Sequence, residues 1–380
     1  MKLSVDWYKN NLRKLQENIS LLGLDAMLIL DPYNLYYLTG FYHQATERHL
    51  GLFVTTNNDL TWYVPMLEKE MAEATFIPNV KCYFDYPGKK HGILWMLEDN
   101  NKYKNIGIDN IANGRDWDIV KSIYPEIVLV DSIYKMRMIK TYEEIAIIKK
   151  GCDYSTIMIN KIHDLARSGL SEIEIHNKAC KTATDKLYVD FGQEVISKSS
   201  NQGIAYGSVL IGKKSAFPDA MMDIDLYPSK GDVISCTFNI QAFMYESETA
   251  KSFIFGNPEN KHKYFIDTLI EVLEYGLNYI NPGIRCCDLS NKLTNLIQQR
   301  NLTYCMRYRI GNGKGLERSE KPWIDAGDKT LLQPGMIITL NPGLFEPGIG
   351  GFRICETVLI TNKGCKLLTN NYQNLQSFII

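Results

Sequence analysis

The sequence lacks the features that would assign it to a membrane, secretory or polyanion-binding class. In 380 residues no stretch approaches the roughly 20 uninterrupted apolar residues needed to span a bilayer. The first residues, MKLSVDWYKNNLRKLQ, contain no apolar segment typical of a secretion signal. The 42 basic and 43 acidic side chains leave a net charge of −1, which favours neither nucleic acid nor anionic lipid. We therefore expect a cytoplasmic protein that binds neither nucleic acid nor membranes.

Several chemical motifs are also missing. The nine cysteines are odd in number and form no C-x-x-C pair, so we expect reduced thiols rather than disulfides or a zinc knuckle. There is no G-x-x-x-x-G-K-[ST] phosphate loop and no G-x-S-x-G nucleophile elbow. These absences argue against nucleotide chemistry and against a serine hydrolase, and we expect no cofactor.

The first 130 or so residues alternate between helical and strand patterns. Apolar residues recur at helical spacing from Leu12 to Leu22, and Gly23 follows as a helix-ending residue. Short apolar runs predict strands at 26–30, 106–108 and 127–130, and a hairpin of 50–54 with 60–64. This part of the chain is predicted to be an α/β domain.

The second part begins with long helices and ends in strands. Thr141 with Glu144, and Ser171 with Glu174, have the spacing of capping boxes that open helices. Strand-like runs follow at 233–238, 252–255, 336–340 and 357–360, with helical patterns at 261–279 and 288–300 between them. We place the domain boundary in the polar segment before Thr141, which gives domains 1–133 and 134–380. GDVISCTFNI and PGMIITLNPG are loosely alike and suggest two related halves.

Six short strings, in order along the chain, carry a family resemblance. They are NLYYLTGF with Arg48 seven residues later, KKSAFPDA before GDV, GNGKGL, SEKP, PGM through LNPG, and GGFRICET. Together they resemble the creatinase/aminopeptidase P/prolidase family. The resemblance implies an α/β (α+β) fold: a creatinase-type N-terminal domain followed by a C-terminal "pita-bread" domain of two related halves.

The family's peptidases hold two divalent metals with five side chains, and none of the five is retained here. The corresponding positions are Thr237, Glu248, Asn312, Asn341 and Cys355. Two catalytic histidines of the family are replaced as well, by Asp219 and Ser319. A bridged two-metal centre needs several anionic or imidazole ligands, and Glu248 is the one carboxylate among these five. We therefore predict no metal in this site.

Without metals, the candidate catalytic residues are carboxylates. Asp219 is the candidate general base, provided that a closed, partly apolar cleft raises its pKa. Glu248, and Glu356 if the register shifts by one residue, would be the other acids. Two acids facing one pocket predict a cationic substrate group. Arg48 and Arg353 match family positions and are candidates to bind a substrate carboxylate. In creatinase the Arg matching Arg48 reaches a neighbouring subunit, so the resemblance implies a homodimer.

Other residues of these motifs are candidate substrate contacts. Several of the candidate site residues also have a purely structural interpretation. Asn312, Asn341, Thr237, Ser319 and Cys355 stand at family site positions. Asp219 could instead be a turn residue, Glu248 could pair with Lys251, Arg48 could form a surface ion pair, and Cys355 could be a small core residue. Lys314, which replaces an apolar family residue, could neutralise cleft acids or bind an anion.

Three functions remain open from the sequence. The leading hypothesis is a metal-independent hydrolase or lyase of the creatinase type, which cleaves a C–N bond of a small, carboxylate-bearing nitrogen compound. The first alternative is a catalytically inactive relative that binds a ligand or protein. The second is a residual Xaa-Pro aminopeptidase or dipeptidase.

Overall fold

The computed structural model describes residues 2–44, 46–84, 90–111, 114–195, 204–369, 371 and 374–380. Within these residues the chain divides into two compact units, one over Lys2–Arg137 and one from Met138 onward. The predicted boundary at 133/134 stays a proposal; the units separate a few residues later, inside a helix over Ser132–Met138. In the described ranges, every helix is too short or too polar to cross a lipid bilayer.

The N-terminal unit is an α/β sandwich around one mixed sheet. Its helices are α1 (Val5–Leu21), α2 (Pro32–Thr39), α3 (Lys69–Glu73), α4 (Gly92–Asp99), α5 (Gly114–Ile123) and α6 (Ser132–Met138). Its strands are β1 (Ala26–Ile29), β2 (Gly51–Thr55), β3 (Leu60–Pro65), β4 (Asn79–Tyr83), β5 (Ile106–Ile108) and β6 (Val128–Leu129).

The sheet of this unit has the order β4-β3-β2-β1-β5-β6. Strand β1 is fully buried and pairs antiparallel with β2 and parallel with β5. Strands β2 and β3 form the predicted antiparallel hairpin. The predicted α/β class is confirmed for this unit, and the continuous burial of β1 and β2 shows that the sheet is covered on both faces there.

The C-terminal unit is built on a larger, mainly antiparallel sheet. Its helices are α7 (Tyr142–Ala166), α8 (Glu172–Phe191), α9 (Asn260–Tyr279) and α10 (Cys286–Gln299). Its strands are β7 (Ala205–Ile211), β8 (Val233–Ala242), β9 (Tyr245–Ile254), β10 (Gly311–Gly313), β11 (Glu320–Ile324), β12 (Ile337–Leu340), β13 (Gly343–Glu346), β14 (Gly350–Thr361) and β15 (Gly364–Leu367). The main path of the sheet runs β11-β10-β12-β14-β9-β8-β7, and β13 and β15 pair with β14.

Helices α7 and α8 begin as the sequence predicts. The backbone N–H of Thr141 donates to Glu144 Oε2 at 2.7 Å, and the N–H of Glu144 donates back to Thr141 Oγ1 at 3.4 Å. At the start of α8 the backbone N–H of Ser171 likewise donates to Glu174 Oε2 at 2.9 Å. Each capping box satisfies backbone donors that the first helical turn would leave unpaired.

The two halves suggested by the sequence have a common local geometry. Gly231 and Gly335 both adopt a positive φ, 94° and 90°, immediately before the strand pairs that begin with β8 and β12. A side chain is disfavoured in this backbone conformation, which explains the glycine at both turns. The strands that follow, β8 with β9 and β12 with β14, form the central part of the sheet.

Candidate substrate cleft in the C-terminal unit

A cleft of about 1060 Å³ opens on the face of the C-terminal sheet. Strand β8 contributes Thr237, β9 contributes Glu248, β10 contributes Asn312 and β14 contributes Arg353. Rigid sheet strands therefore position these side chains, whereas loops carry the others. The cleft brings together seven residues that the sequence predicts as site residues: Asp219, Thr237, Glu248, Asn312, Ser319, Asn341 and Arg353.

Glu248, which lines the cleft, forms an ion pair with Lys314, which is buried behind the lining. Lys314 Nζ lies 2.6 Å from Glu248 Oε2, and the lysine side chain is completely buried. Asn341 Nδ2 donates to Glu248 Oε1 at 3.2 Å, and a guanidinium nitrogen of Arg353 lies 3.9 Å from the same oxygen. Burial alone would raise the pKa of Glu248, but Lys314 and then Arg353 outweigh it and lower the pKa below its ordinary value. Glu248 is therefore an ionised, neutralised carboxylate.

This pairing decides two alternatives that the sequence leaves open. Lys314 neutralises a cleft acid, and Glu248 pairs with Lys314 rather than with Lys251. Lys251 Nζ instead donates to the backbone oxygen of Asn371 at 2.6 Å.

The five positions that correspond to the family's metal ligands do not form a donor set for two divalent ions. Thr237 Oγ1 is buried and has no hydrogen-bond partner, and Asn312 Nδ2 donates to the backbone oxygen of Gly313 at 2.9 Å. Burial raises the pKa of the Cys355 thiol well above its ordinary value, so it is protonated. A buried ammonium group beside Glu248 opposes any added cation. These residues do not fit the two-metal centre, because its four positive charges need several anionic ligands.

Positive side chains dominate the rest of the cleft. Among the described residues that line it, the charged ones are Asp219, Glu248, Arg307, Arg309, Arg318 and Arg353. Because Lys314 already neutralises Glu248, the cleft has an excess of positive charge. The arginines favour an anionic group such as a carboxylate, whereas the expectation of a cationic substrate group stays a prediction.

Asp219 lines the cleft but lies in an exposed turn. The backbone N–H of Ala220 donates to the carbonyl of Phe217 at 3.0 Å and closes this turn. The closed, apolar surroundings that the general-base hypothesis requires are absent around Asp219 among the described residues. The position of Asp219 therefore fits a turn residue as well as it fits a general base.

Three of the predicted site residues lie elsewhere. Glu356 is completely buried outside the cleft lining, where it accepts hydrogen bonds from the Asn371 backbone N–H at 2.7 Å and from the Thr369 hydroxyl. The register of β14 therefore does not turn Glu356 into the cleft. Cys355 is a buried core residue of β14 opposite Ala250 of β9.

Arg48 belongs to the N-terminal unit, where its guanidinium group lies 2.5 Å from Glu47. This contact matches the alternative of a surface ion pair.

The sequence analysis missed the arginines outside the motifs and two tyrosines, Tyr206 and Tyr308. Arg307 and Arg309 stand shortly before the GNGKGL string, so a search of the residues next to this motif would have found them. The tyrosine at 206 is on β7, and its contribution depends on strand pairing that no local pattern reveals.

The fold and the cleft together define a two-unit protein of the pita-bread class. A model of "Metallopeptidase family M24" matches residues 146–362, and a model of "Creatinase/Prolidase N-terminal domain" matches residues 11–139. The chain belongs to metallopeptidase family M24, which confirms the resemblance seen in the sequence.

Similar proteins cover the whole chain. The Xaa-Pro dipeptidase of Pyrococcus furiosus is 27% identical over 376 residues, which are 97% of this chain and 99% of that protein. The prolidase structure from Pyrococcus horikoshii OT3 superposes with a TM-score of 0.80 at 26% identity, covering 96% of this chain and 99% of that one. Dipeptidase PepE from Mycobacterium ulcerans shares the fold, with a TM-score of 0.87 at 18% identity and coverage of 100% and 99%. These relatives fit the Xaa-Pro peptidase alternative better than the creatinase-type hypothesis.

Proposed function

We propose that this protein binds small, carboxylate-bearing peptides of the Xaa-Pro class, and that it does so without the two-metal centre of its family. The observation that carries the proposal is the buried Lys314 ammonium group, 2.6 Å from Glu248. It supplies a positive charge beside Glu248, which stands at one of the positions that hold metal ions in the peptidases of the family.

The substrate class comes from the relatives and agrees with the charge of the cleft. The curated relatives are named Xaa-Pro dipeptidases, and a dipeptide carries a free C-terminal carboxylate. Arg353 is the candidate carboxylate-binding residue because its Nε is buried without a hydrogen-bond partner while its Nη2 donates to Asn341 at 3.3 Å. A guanidinium group binds a carboxylate through two parallel hydrogen bonds.

The chemistry available at this site differs from that of a metallopeptidase. A lysine ammonium group can neutralise a carboxylate or attract an anion, but it does not generate a hydroxide nucleophile as a metal-bound water does. We therefore expect binding of Xaa-Pro dipeptides and no hydrolysis that depends on added divalent ions.

Calorimetric titration with an Xaa-Pro dipeptide tests the proposal, and the C-terminal amide of the same dipeptide is the control ligand. We expect the acid to bind at least about tenfold more tightly than the amide, since the amide loses a charge-assisted interaction. Arg353→Gln should remove this difference. Arg300→Gln is the matched control, because Arg300 pairs with Glu271 at the surface, away from the cleft.

Two results would overturn this proposal. One is equal affinity for the acid and the amide. The other is dipeptide hydrolysis that appears only when Mn²⁺ or Co²⁺ is added, since this would revive the two-metal mechanism.

A second candidate is metal-independent C–N hydrolysis with Asp219 as the base. It is favoured by one observation: Asp219 lines the same cleft as Glu248 and Arg353. Turnover of dipeptides or guanidino acids in the presence of a chelator would support it. Turnover that is unchanged in Asp219→Asn would eliminate the base assignment.

The remaining expectations concern the whole protein. The nine free thiols are consistent with a reducing, cytoplasmic environment, and the family resemblance implies a homodimer. Sedimentation equilibrium tests the dimer, which a mass of one chain at micromolar concentration would contradict.

A further inference from the structure

A cluster of two histidines and one aspartate lies in the N-terminal unit. His49 Nε2 is 2.9 Å from one carboxylate oxygen of Asp116, and His91 Nε2 is 3.0 Å from the other. Candidate ligand atoms of the three side chains lie within 4.8 Å of one another, and the three side chains are only 12–13% exposed. Among the described residues, this is the one group of three or more such side chains with metal-binding proximity.

Three separate elements of the fold build this cluster. His49 precedes β2, His91 is the N-cap residue of α4, and Asp116 lies in the first turn of α5. The Tyr83 hydroxyl donates to the His49 carbonyl at 2.9 Å and fixes the backbone there. A Cβ at Gly92 would lie 2.9 Å from His49 Nδ1, so glycine at this position lets the imidazole pack against the start of α4.

We propose that His49, His91 and Asp116 bind a divalent transition-metal ion, with Zn²⁺ as the best match. Two imidazole nitrogens and a carboxylate oxygen are common zinc ligands, and a zinc site with three protein ligands completes its tetrahedron with water. The Asp116 carboxylate offsets part of the ion's charge and the two imidazoles supply nitrogen ligands, whereas positive side chains outnumber negative ones in the cleft of the C-terminal unit. The site is separate from the proposed peptide cleft, so the two proposals stand or fall independently.

The competing explanation is a purely structural triad in which Asp116 accepts a hydrogen bond from each histidine. Such a triad needs no ion and would show no selectivity for a metal. The metal site predicts one bound ion per chain, imidazole ligands on that ion, and weaker binding when His91 is substituted. The structural triad predicts none of these three results.

The test uses the full chain without a polyhistidine tag, stripped with a chelator and dialysed against Zn²⁺. We expect one equivalent of zinc to be retained by the wild-type protein. His91→Gln and Asp116→Asn should each weaken binding by about tenfold or more. His163→Gln is the matched control: His163 lies next to Asp164 on α7 with its side chain 48% exposed, and its loss should leave the zinc content unchanged.

A measurement on the wild-type protein covers the case in which a variant fails to fold. X-ray absorption at the zinc edge should report about two imidazole ligands per ion. The proposal is overturned if the wild-type protein retains no zinc, if the bound zinc has oxygen ligands alone, or if folded His91→Gln retains the full equivalent.

Discussion

The side chain of Lys314 is the residue-scale feature that distinguishes this cleft from a two-metal site. A buried ion pair is costly to desolvate, and its attraction offsets that cost only while both partners are present. Asn341 and Arg353 add contacts to the Glu248 carboxylate, so the buried negative charge is well compensated. Removing the ammonium group alone should therefore be far more harmful than removing both charges.

We predict that Lys314→Met lowers the free energy of unfolding by about 3–5 kcal/mol, because it removes the nearest positive charge from the buried Glu248 carboxylate. Adding Glu248→Gln to this variant should restore most of the loss. Urea denaturation at neutral pH measures both changes. Lys181→Met is the control, since Lys181 pairs with Asp185 at 2.8 Å on the exposed face of α8 and should cost less than about 1 kcal/mol.

The prediction fails if the double variant is as unstable as the sum of the single variants. Additive losses would mean that Lys314 and Glu248 are not coupled.

A second residue-scale prediction concerns the pH dependence of stability. Glu246 is buried next to Tyr206 and Gln241, and burial raises its pKa from 4.5 to about 7. The folded protein then holds a proton that the unfolded chain has lost, so the free energy of unfolding should fall as pH rises from about 4.5 to about 7. The contribution of Glu246 is at most on the order of 3 kcal/mol.

Urea denaturation across this pH range, comparing the wild-type protein with Glu246→Gln, measures that contribution. The variant should have a shallower slope; the slope that remains comes from other groups such as Glu144, whose pKa burial also raises to about 7. Glu274→Gln, at an exposed position on α9, should reproduce the wild-type slope. Identical slopes for Glu246→Gln and the wild-type protein would contradict the prediction.

The sequence predicted which residues face the cleft better than it predicted what they do there. Motif positions such as Glu248 and Arg353 lie on strands whose register places them in one pocket. The sequence offered Lys314 as one possible partner of the cleft acids but could not decide it, because Lys314 follows β10, which is connected to the β9 strand of Glu248 only through β12 and β14. The burial of a side chain likewise depends on tertiary packing, which no local pattern reveals. The sequence therefore predicted an enclosed Asp219 and allowed Glu356 to face the cleft, whereas Asp219 is exposed and Glu356 is buried outside the cleft lining.

At the scale of elements, local signals found the long helices and the central strands. The spacing of the capping boxes predicted where α7 and α8 begin to within a residue, because a helix start is determined by neighbouring residues. Strand β10, with the sequence Gly-Asn-Gly, has no alternating pattern, and it is a strand because β11 and β12 pair with it. Short strands of this kind depend on tertiary context.

We predict that Thr141→Ala lowers the free energy of unfolding by about 1 kcal/mol, since it removes the capping oxygen at the start of α7. Thr182→Ala, at a half-buried position in the middle of α8, should change it by less than about half of that. Thermal or urea unfolding of the two variants side by side makes the comparison. Equal effects would show that the capping box contributes no more than an ordinary surface threonine.

At the scale of the whole molecule, the chain combines an M24 fold with a cleft whose described lining has four arginines and two carboxylates. The relatives named Xaa-Pro dipeptidase share its length and both of its domains. The sheet is held by its apolar core and strand pairing, so the fold does not depend on the identity of the residues that line the cleft. The fold was therefore predictable from six motifs, whereas the chemistry was not.

The most direct test of the central claim is anomalous diffraction at the cobalt edge from crystals grown with excess Co²⁺. We predict no anomalous peak within coordination distance of Glu248, with Lys314 Nζ retained beside the carboxylate. Two neighbouring peaks bridged by Glu248, with Lys314 displaced, would contradict the account.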